Sequence, residues 1–176
     1  MIHSSNSPLS DSKAVWVVAA CFNEEGGISN FIEEVITLPG VARLVLVDDG
    51  SSDGTVKEIL ASQKLLEGRR DFAELTLLEL TRNFGKEAAM LAGLDHARDR
   101  CGAVVLIDSD LQHPPKLISE MIRAWRHGAE IVTAVRDDKD QESLFKVTSA
   151  SWFYKIFNRL VDSIQLKEGA GDFRLL

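Results

Sequence analysis

Residues 43–55 read R-L-V-L-V-D-D-G-S-S-D-G-T, and this stretch decides the fold class. The apolar run that opens it predicts a short strand buried on both faces. Asp48 and Asp49 end the run abruptly, and a turn rich in glycine and serine follows. From Thr55 we predict a helix that extends to about Leu66. A strand, a polar turn and a helix in direct succession predict an α/β architecture.

The same succession recurs on both sides of this stretch. Apolar runs predict four more strands, over residues 14–20, 75–80, 103–107 and 130–135. Helical periodicity predicts four more helices, over residues 28–36, 86–98, 143–160 and from the proline pair at 114–115 to about 125–128. The alternation predicts an α/β fold with a mostly parallel sheet and helices on both of its faces.

The composition indicates one globular domain. The chain has 176 residues, of which 45% are hydrophobic, and this is enough for a sizeable core. We assign residues 14–176 to the domain and expect residues 1–13, which are polar and rich in serine, to be a flexible tail. The formal net charge of −7 argues against nucleic acid as a partner, because phosphate backbones attract basic surfaces.

The cysteine count and the longest apolar run bear on the compartment. Two cysteines are too few for a disulfide framework, so the sequence predicts a reduced, cytoplasmic environment. The longest apolar run, over 14–22, is about half of the ~20 residues that a membrane-spanning helix needs. We therefore expect the chain itself to be soluble.

Polar clusters follow several of the predicted strands. They occupy residues 21–25, 48–55, 108–110 and 136–140. Because ligands of open α/β sheets bind beyond the carboxyl ends of the strands, these four clusters are expected to share one rim of the sheet. Four clusters at one rim favour a ligand site more strongly than any one of them would.

Asp108 and Asp110 directly follow a predicted buried strand. Two carboxylates at this spacing can share one hard cation, and oxygen ligands suit Mg²⁺ or Mn²⁺. Gln112 adds a further oxygen ligand to the same candidate site. The structural alternative is a helix N-cap with a solvated second carboxylate.

The first two clusters contain groups that suit a nucleoside. Asp49 can accept hydrogen bonds from a ribose or a base, Phe22 offers a ring for stacking, and Glu24 is a further acceptor. The alternatives are an ordinary loop at 22–25 and a tight turn at 48–55. We interpret Asp53 as a structural cap of the following helix.

Basic residues and a glycine pair complete the candidate site. Lys86 lies at a predicted helix start, where a cation is unfavourable unless an anion is close, so it suggests a phosphate. Arg136 and Lys139 form either a phosphate clamp or a solvated loop of mixed charge. Two glycines before Asp172 suggest a close approach of the backbone to a ligand, and the alternative is a frayed terminus.

Taken in order, the motifs resemble those of the family 2 glycosyltransferases of the GT-A fold. They are F-N-E-E, V-D-D-G-S-S-D-G-T, R-N-F-G-K, D-S-D-L-Q-H-P-P, A-V-R-D-D-K and G-A-G-D-F-R, which together extend over nearly the whole chain. The D-S-D-L-Q-H-P-P and R-N-F-G-K motifs are most similar to those of the polyprenyl-phosphate glycosyltransferases, a group that includes dolichyl-phosphate mannose synthase and undecaprenyl-phosphate glucosyltransferase.

The resemblance implies a role for each matched position. Phe22, Glu24 and Asp49 match nucleoside-binding positions, and Ala20 stands where the family usually has proline. Asp108 and Asp110 match the metal and diphosphate positions, with Gln112 beside them. Arg136 and Lys139 match basic positions near the acceptor phosphate, and Asp172 matches an acidic position of the active site. The residues concerned are all in the printed sequence.

The resemblance also implies a reaction. It is the transfer of a hexose, with inversion, from a UDP- or GDP-hexose to a polyprenyl phosphate, with Mg²⁺ or Mn²⁺. Members continue past the G-D-F-R motif, so we expect this chain to be truncated and its membrane contact, at the cytoplasmic face, to lie in a missing C-terminal region. The alternatives are a saccharide hydroxyl as acceptor, with Asp172 as the base, and an inactive nucleotide-sugar-binding module. Homo-oligomerisation stays open.

Overall fold

The computed structural model describes residues 11–137, 144–149 and 173–176. These residues form seven strands and four helices. In chain order they are β1 Asp11–Cys21, α1 Ile28–Ile36, β2 Val41–Asp48, α2 Thr55–Leu66, β3 Glu74–Glu79, α3 Lys86–Ala97, β4 Cys101–Asp108, α4 Leu117–Arg126, β5 Val132–Asp137, β6 Leu144–Ser149 and β7 Arg174–Leu175.

The seven strands form one sheet with the order β3-β2-β1-β4-β7-β5-β6. The pairs β3–β2, β2–β1 and β1–β4 are parallel. The short strand β7 runs antiparallel to both β4 and β5, so β5 has the same direction as β4. Only β6 and β7 oppose the other strands. The predicted α/β fold with a mostly parallel sheet is confirmed.

Both faces of the sheet are covered by helices. Along β1, Val15 and Val17 face the layer that contains α1, α2 and α4, whereas Trp16 and Val18 face α3. Successive side chains of a strand point to opposite faces. A strand covered on both sides therefore needs apolar residues at every position, which explains the continuous apolar run over 14–20.

Helix α3 approaches the sheet closely through small residues spaced four apart. Ala89 and Ala97 are buried there, and Gly93 lies between them on the same side of the helix. A Cβ atom added to Gly93 would lie 2.3 Å from Cγ1 of Val18 and 3.1 Å from Cγ2 of Val47. The absence of a side chain at this position thus sets the distance between the helix and strands β1 and β2.

We expect Gly93→Ala to lower the free energy of unfolding by about 1–2 kcal/mol. Overpacking in a core costs about 1–3 kcal/mol, and the better helix propensity of alanine offsets part of it. Val18 is β-branched and has little rotamer freedom with which to yield. Urea denaturation measures the effect. Leu91→Ala, at an exposed position of the same helix, is the control and should change stability by less than about 0.5 kcal/mol. A stabilised Gly93→Ala variant would contradict the close packing.

Two expectations for the ends of the chain were wrong, and one alternative is excluded for the last four residues. Asp11–Lys13 belong to β1 and not to a tail, since Asp11 pairs with Cys101 of β4. Residues 144–149 are a strand and not the start of a helix, and residues 150–160 of the predicted helix lie outside the described residues. Residues 173–176 are not frayed, because Phe173 and Leu175 are fully buried in the sheet.

The physical reason for strand β6 is its alternation. Residues 144–149 read L-F-K-V-T-S, in which apolar and polar residues alternate from Phe145 to Thr148 and two members are β-branched. The strand pairs with β5 in a regular antiparallel register.

In the part of the chain that the structure describes, no helix has both the length and the apolar character that crossing a membrane would require.

Candidate active site

Loops at the carboxyl ends of β1, β2, β3 and β4 enclose one cavity of about 300 Å³. We name these loops after the strands that precede them: the β1 loop over 22–27, the β2 loop over 49–54, the β3 loop over 80–85 and the β4 loop over 109–116. The cavity is lined by Ala20, Cys21, Phe22, Glu24, Asp49, Asn83, Gly85, Lys86, Asp108, Ser109 and Asp110. Seven predicted site residues are therefore brought together: Ala20, Phe22, Glu24, Asp49, Lys86, Asp108 and Asp110.

Asn23 connects the β1 loop to the β2 loop. Its backbone N–H donates to Oγ of Ser51 at 2.9 Å, and its side-chain Oδ1 accepts from the backbone N–H of Ser52 at 2.9 Å. The residue has a φ of 56°, a left-handed conformation that asparagine adopts more readily than most residues. This role of Asn23 was not predicted, although an asparagine at a strand end is a signal for a turn in the left-handed conformation.

A second set of contacts places Glu24. Its backbone N–H donates to Oγ1 of Thr55 at 2.8 Å, and the next N–H, of Glu25, donates to Oδ2 of Asp53 at 3.1 Å. Oδ1 of Asp53 also accepts from the backbone N–H and the hydroxyl of Thr55. The hydroxyl contact lowers the pKa of Asp53. These contacts support the structural role that the sequence suggested for Asp53.

Asp48 closes the turn that opens the β2 loop. Its Oδ2 accepts from the backbone N–H groups of Gly50 and Ser51 at 3.2 and 3.0 Å. Gly50 has a φ of +74°, and a Cβ atom at this position would lie 2.5 Å from the carbonyl carbon of Arg82. Only glycine fits this position, because both the backbone conformation and the neighbouring β3 loop exclude a side chain.

Asp49 joins the β2 loop to the β3 loop. Its side chain is buried, with 3% of its surface exposed. Oδ1 accepts from the backbone N–H of Phe84 at 2.8 Å, and Oδ2 accepts from that of Gly85 at 2.9 Å. Asp49 was predicted only to contact a nucleoside. In the structure its carboxylate also fixes the loop that precedes Lys86.

Lys86 forms an ion pair with Asp108. Its Nζ lies 2.7 Å from Oδ1 and 2.9 Å from Oδ2 of the carboxylate. Lys86 is the first residue of α3, and Asp108 is the last residue of β4. Lys86 was predicted to lie near a phosphate, and its ion pair with Asp108 was not predicted. The pair places one positive charge inside an otherwise acidic cavity.

Glu24 and Asp110 both line the cavity and influence each other electrostatically. Burial raises the pKa of Glu24, and the negative charges of Asp110 and Asp53 raise it further. Asp110 is exposed, and its Oδ1 accepts from the backbone N–H of Gln112 at 3.0 Å. Gln112 is itself exposed and is not among the described residues that line the cavity. The local field therefore favours a cation near Asp110.

The donor set fits a hard divalent cation that keeps ligands from elsewhere. Asp108 and Asp110 offer carboxylate oxygens only, as Mg²⁺ and Mn²⁺ prefer. Over residues 11–137, 144–149 and 173–176, no group of three or more His, Cys, Asp or Glu side chains has the arrangement of a complete metal site. Such a cation would thus take its remaining ligands from water and from a bound phosphate group.

Ser109 and Cys21 also line the cavity, although neither was predicted as a site residue. Ser109, between the two aspartates, is buried, and its hydroxyl donates to the carbonyl of Ala20 at 2.9 Å, which ties the β4 loop to β1. Burial raises the pKa of Cys21 to about 12, and the charge of Asp48 contributes in the same direction. The Cys21 thiol is therefore protonated at neutral pH and is no nucleophile.

Besides Gln112, three predicted residues are not placed in the cavity by the described part of the chain. Arg136 lies within β5, where its backbone pairs with Phe145, and not after the strand as expected. Lys139 and Asp172 lie outside the described residues. The residue that follows Asp172 in the sequence, Phe173, is buried, and its ring centroid lies 5.5 Å from that of His113 in the β4 loop.

Comparison with known proteins agrees with this geometry. The model of the family described as glycosyl transferase family 2 matches residues 16–176. An uncharacterized glycosyltransferase of Synechocystis sp. is 37% identical over 91% of this chain and 49% of its own length. The bactoprenol glucosyl transferase of Shigella phage SfV is 37% identical over 91% of this chain and 50% of its own length.

Two solved structures share the fold. A mannosyltransferase from Pyrobaculum calidifontis, in complex with GDP-Man and Mn²⁺, has a TM-score of 0.55 and 26% identity over 74% of this chain and 38% of its own. Glucosyl-3-phosphoglycerate synthase from Mycobacterium tuberculosis, in complex with UDP, has a TM-score of 0.51 and 25% identity over 70% of this chain and 43% of its own.

The chain spans about half the length of the curated relatives it matches. The resemblance that the motifs predicted is confirmed by the family match over residues 16–176 and by these relatives. The sheet order and the likeness to solved glycosyltransferases confirm the predicted fold. The chain therefore belongs to glycosyl transferase family 2 and has the GT-A fold.

Proposed function

We propose that the chain is the catalytic domain of a metal-dependent, inverting glycosyltransferase that moves a hexose from a UDP- or GDP-hexose to a polyprenyl phosphate. The observation that carries the proposal is the single cavity in which Asp108 and Asp110 meet Glu24, Asp49 and Lys86. The relatives named bactoprenol glucosyl transferase support the choice of acceptor. The two solved structures with GDP-Man and with UDP support the choice of donor.

In this proposal the β1 and β2 loops bind the nucleoside. Phe22 is 44% exposed at the rim, so its ring is accessible for stacking on a base. Glu24 and Asp49 accept hydrogen bonds from the base or the ribose, and Ala20 lies beneath them at the end of β1. The contacts from Asn23 and Thr55 hold this binding surface in place before the donor arrives.

Asp108, Asp110 and Gln112 serve the diphosphate end of the donor. A bound Mg²⁺ or Mn²⁺ would stabilise the negative charge that develops on the departing nucleoside diphosphate. The carboxylates of Asp108 and Asp110 would hold that ion, and Gln112 would contribute an oxygen from the β4 loop. Lys86 at the start of α3 supplies a further positive charge for the phosphates.

Arg136, Lys139 and Asp172 serve the acceptor. A phosphate monoester has a second pKa near ~6 and is largely ionised at pH 7, so it attacks the anomeric carbon with little help from a general base. Arg136 and Lys139 hold the phosphate and screen its approach to the acidic cavity. Asp172 orients the donor or the acceptor. We place the reaction at the cytoplasmic face of a membrane, with the membrane contact in the part of the relatives that this chain does not match.

The proposal is tested by a transfer assay. Incubated with Mn²⁺ and either UDP-glucose or GDP-mannose, the protein is expected to form a glycosylated polyprenyl phosphate that is detected by mass spectrometry. Removal of the metal with EDTA is expected to stop the transfer. If product formed only with a saccharide acceptor, the acceptor would be a hydroxyl and not a lipid phosphate. If the protein bound the nucleotide but transferred no sugar, it would be a binding module and not an enzyme.

A further inference from the structure

The ion pair between Lys86 and Asp108 uses a carboxylate that the proposed function assigns to the metal. The lysine Nζ lies within 2.9 Å of both carboxylate oxygens. The lysine side chain is 41% exposed and that of the aspartate 23% exposed, so the pair sits at the cavity surface and not in the core. An ammonium group and a divalent cation that share these two oxygens repel one another, so each lowers the affinity of the carboxylate for the other.

Lys86 is well placed to change partners. The backbone before it is fixed, since Gly85 donates its N–H to the buried carboxylate of Asp49. The side chain beyond this fixed point is a flexible stem that ends in a compact charge. The first turn of α3 also favours an anion nearby. A diphosphate bound in the cavity therefore offers the ammonium group a second set of oxygens within the reach of the same side chain.

The cavity contains more acids than bases. Of its lining residues in the described chain, Glu24, Asp49, Asp108 and Asp110 are acidic and Lys86 is the one base. No group of three or more ligating side chains in the described ranges completes a metal site. A free cation in this cavity would thus compete with the ammonium group for Asp108 while lacking several of its own ligands.

These observations, taken with the proposed function on which the inference rests, suggest that the metal and the nucleotide bind as a pair. We propose that Lys86 is the resident counter-ion of Asp108 and keeps the affinity for free Mg²⁺ or Mn²⁺ low until a nucleoside diphosphate binds. The ammonium group of Lys86 then pairs with the diphosphate in place of Asp108, and the diphosphate supplies ligands that the cation lacked. By reciprocity, the metal raises the affinity for the nucleotide by the same factor.

The test is a titration of Mn²⁺ in the absence of nucleotide, followed by the electron paramagnetic resonance signal of the free ion. Lys86→Met removes the charge and keeps most of the stem. We expect this variant to bind Mn²⁺ about five- to ten-fold more tightly than the parent, because a partly exposed counter-ion has been removed. Lys86→Arg keeps the charge beside Asp108, so its affinity for Mn²⁺ is expected to stay much closer to that of the parent than the affinity of Lys86→Met does.

The same titration with saturating UDP or GDP tests the coupling. In the parent, whichever diphosphate binds should raise the affinity for Mn²⁺. In Lys86→Met that enhancement should fall by at least about five-fold, because the nucleotide no longer has a counter-ion to displace. Lys64→Met is the matched control: it removes the same charge from an exposed position in the last turn of α2, and it should leave both titrations unchanged.

Several outcomes would overturn the inference. One is that Lys86→Met and the parent bind Mn²⁺ with equal affinity. Another is that Lys86→Arg or Lys64→Met gains as much affinity for Mn²⁺ as Lys86→Met does. Circular dichroism checks that each variant is folded, and Lys86→Gln replaces the methionine variant if that one does not fold. If neither UDP nor GDP changes the Mn²⁺ affinity of the parent, the proposed function fails, whereas the role of Lys86 toward Asp108 is still decided by the titration without nucleotide.

Discussion

Replacement of Asp110 by alanine is expected to abolish the metal-dependent binding of a nucleoside diphosphate while the fold is retained. Asp110 is exposed at the end of the cavity and makes one hydrogen bond, to the backbone N–H of Gln112 within its own loop. Its loss removes little packing, so the stability of the chain should change by less than about 0.5 kcal/mol. The loss for the metal is large, because the described residues offer only a partial set of ligands.

The size of the effect follows from the role of the carboxylate as a direct ligand. Mutations of residues that only hydrogen-bond a metal ligand already cost about 10–100-fold in metal affinity or activity. For the loss of a direct ligand we therefore expect the affinity for UDP or GDP with Mn²⁺ present to fall at least about a hundred-fold. Isothermal titration calorimetry with and without EDTA measures it. In EDTA, Asp110→Ala should bind the nucleotide at least as tightly as the parent, since neither then uses the metal and the variant lacks a carboxylate that repels the diphosphate.

Asp71→Ala is the matched control for Asp110→Ala. Asp71 is an exposed acid between α2 and β3, at the edge of the sheet away from the cavity, and its ion pair with Arg69 is solvated. Such a pair contributes little to stability. The control should leave the calorimetric affinity unchanged. Unchanged affinity in Asp110→Ala itself would contradict the assignment of the metal to Asp108 and Asp110.

The fold could be predicted where the sheet is buried on both faces. In β1, β2 and β4 the need for apolar side chains on both faces produces runs that no amphipathic helix has. The helices could be predicted from stripes such as the one in α1, where Ile28, Phe31, Ile32, Val35 and Ile36 are all buried. The sheet order itself does not follow from such local patterns, because it depends on crossovers between distant parts of the chain.

Strands β6 and β7 were missed for different reasons. The alternation in β6 extends over only four residues, and a run of aromatic residues after the strand favoured the interpretation as a helix. Strand β7 has two residues, which is too short for any periodicity. It forms because Arg174 and Leu175 pair with β4 on one side and with β5 on the other. Pairing between distant segments thus overrode the local signal.

The residue types at the site were predictable, but their mutual contacts were not. Polar residues directly after apolar strands mark the rim of an α/β sheet, and this rule identified Glu24, Asp49 and Asp108. The distances between neighbouring loops decide which of these groups meet. The hydrogen bonds from Asp49 to the β3 loop and the ion pair of Asp108 with Lys86 therefore required the three-dimensional arrangement.

Neutralising Arg136 and Lys139 together is expected to impair the use of polyprenyl phosphate about ten- to a hundred-fold in kcat/KM, with little change in donor affinity. A hydrogen bond to a charged group contributes about 1.5–3 kcal/mol, which corresponds to the lower and upper ends of this range. The prediction rests on the matched basic positions in the A-V-R-D-D-K motif, and on the place of Arg136 in β5, two strands from β4 in the sheet.

The measurement is a transfer assay with membranes to which the protein has been added, carried out for Arg136→Gln/Lys139→Gln and for a matched pair. Lys64→Gln/Arg70→Gln removes the same two charges at exposed positions on the far side of the domain, and it should transfer as the parent does. Because a phosphate acceptor depends on these charges and a neutral hydroxyl does not, transfer to lipid phosphate that is unchanged in Arg136→Gln/Lys139→Gln would remove the clamp from the mechanism. If the parent used a saccharide hydroxyl and ignored lipid phosphate, the lipid carrier itself would be excluded, and membership of the family would stand without it.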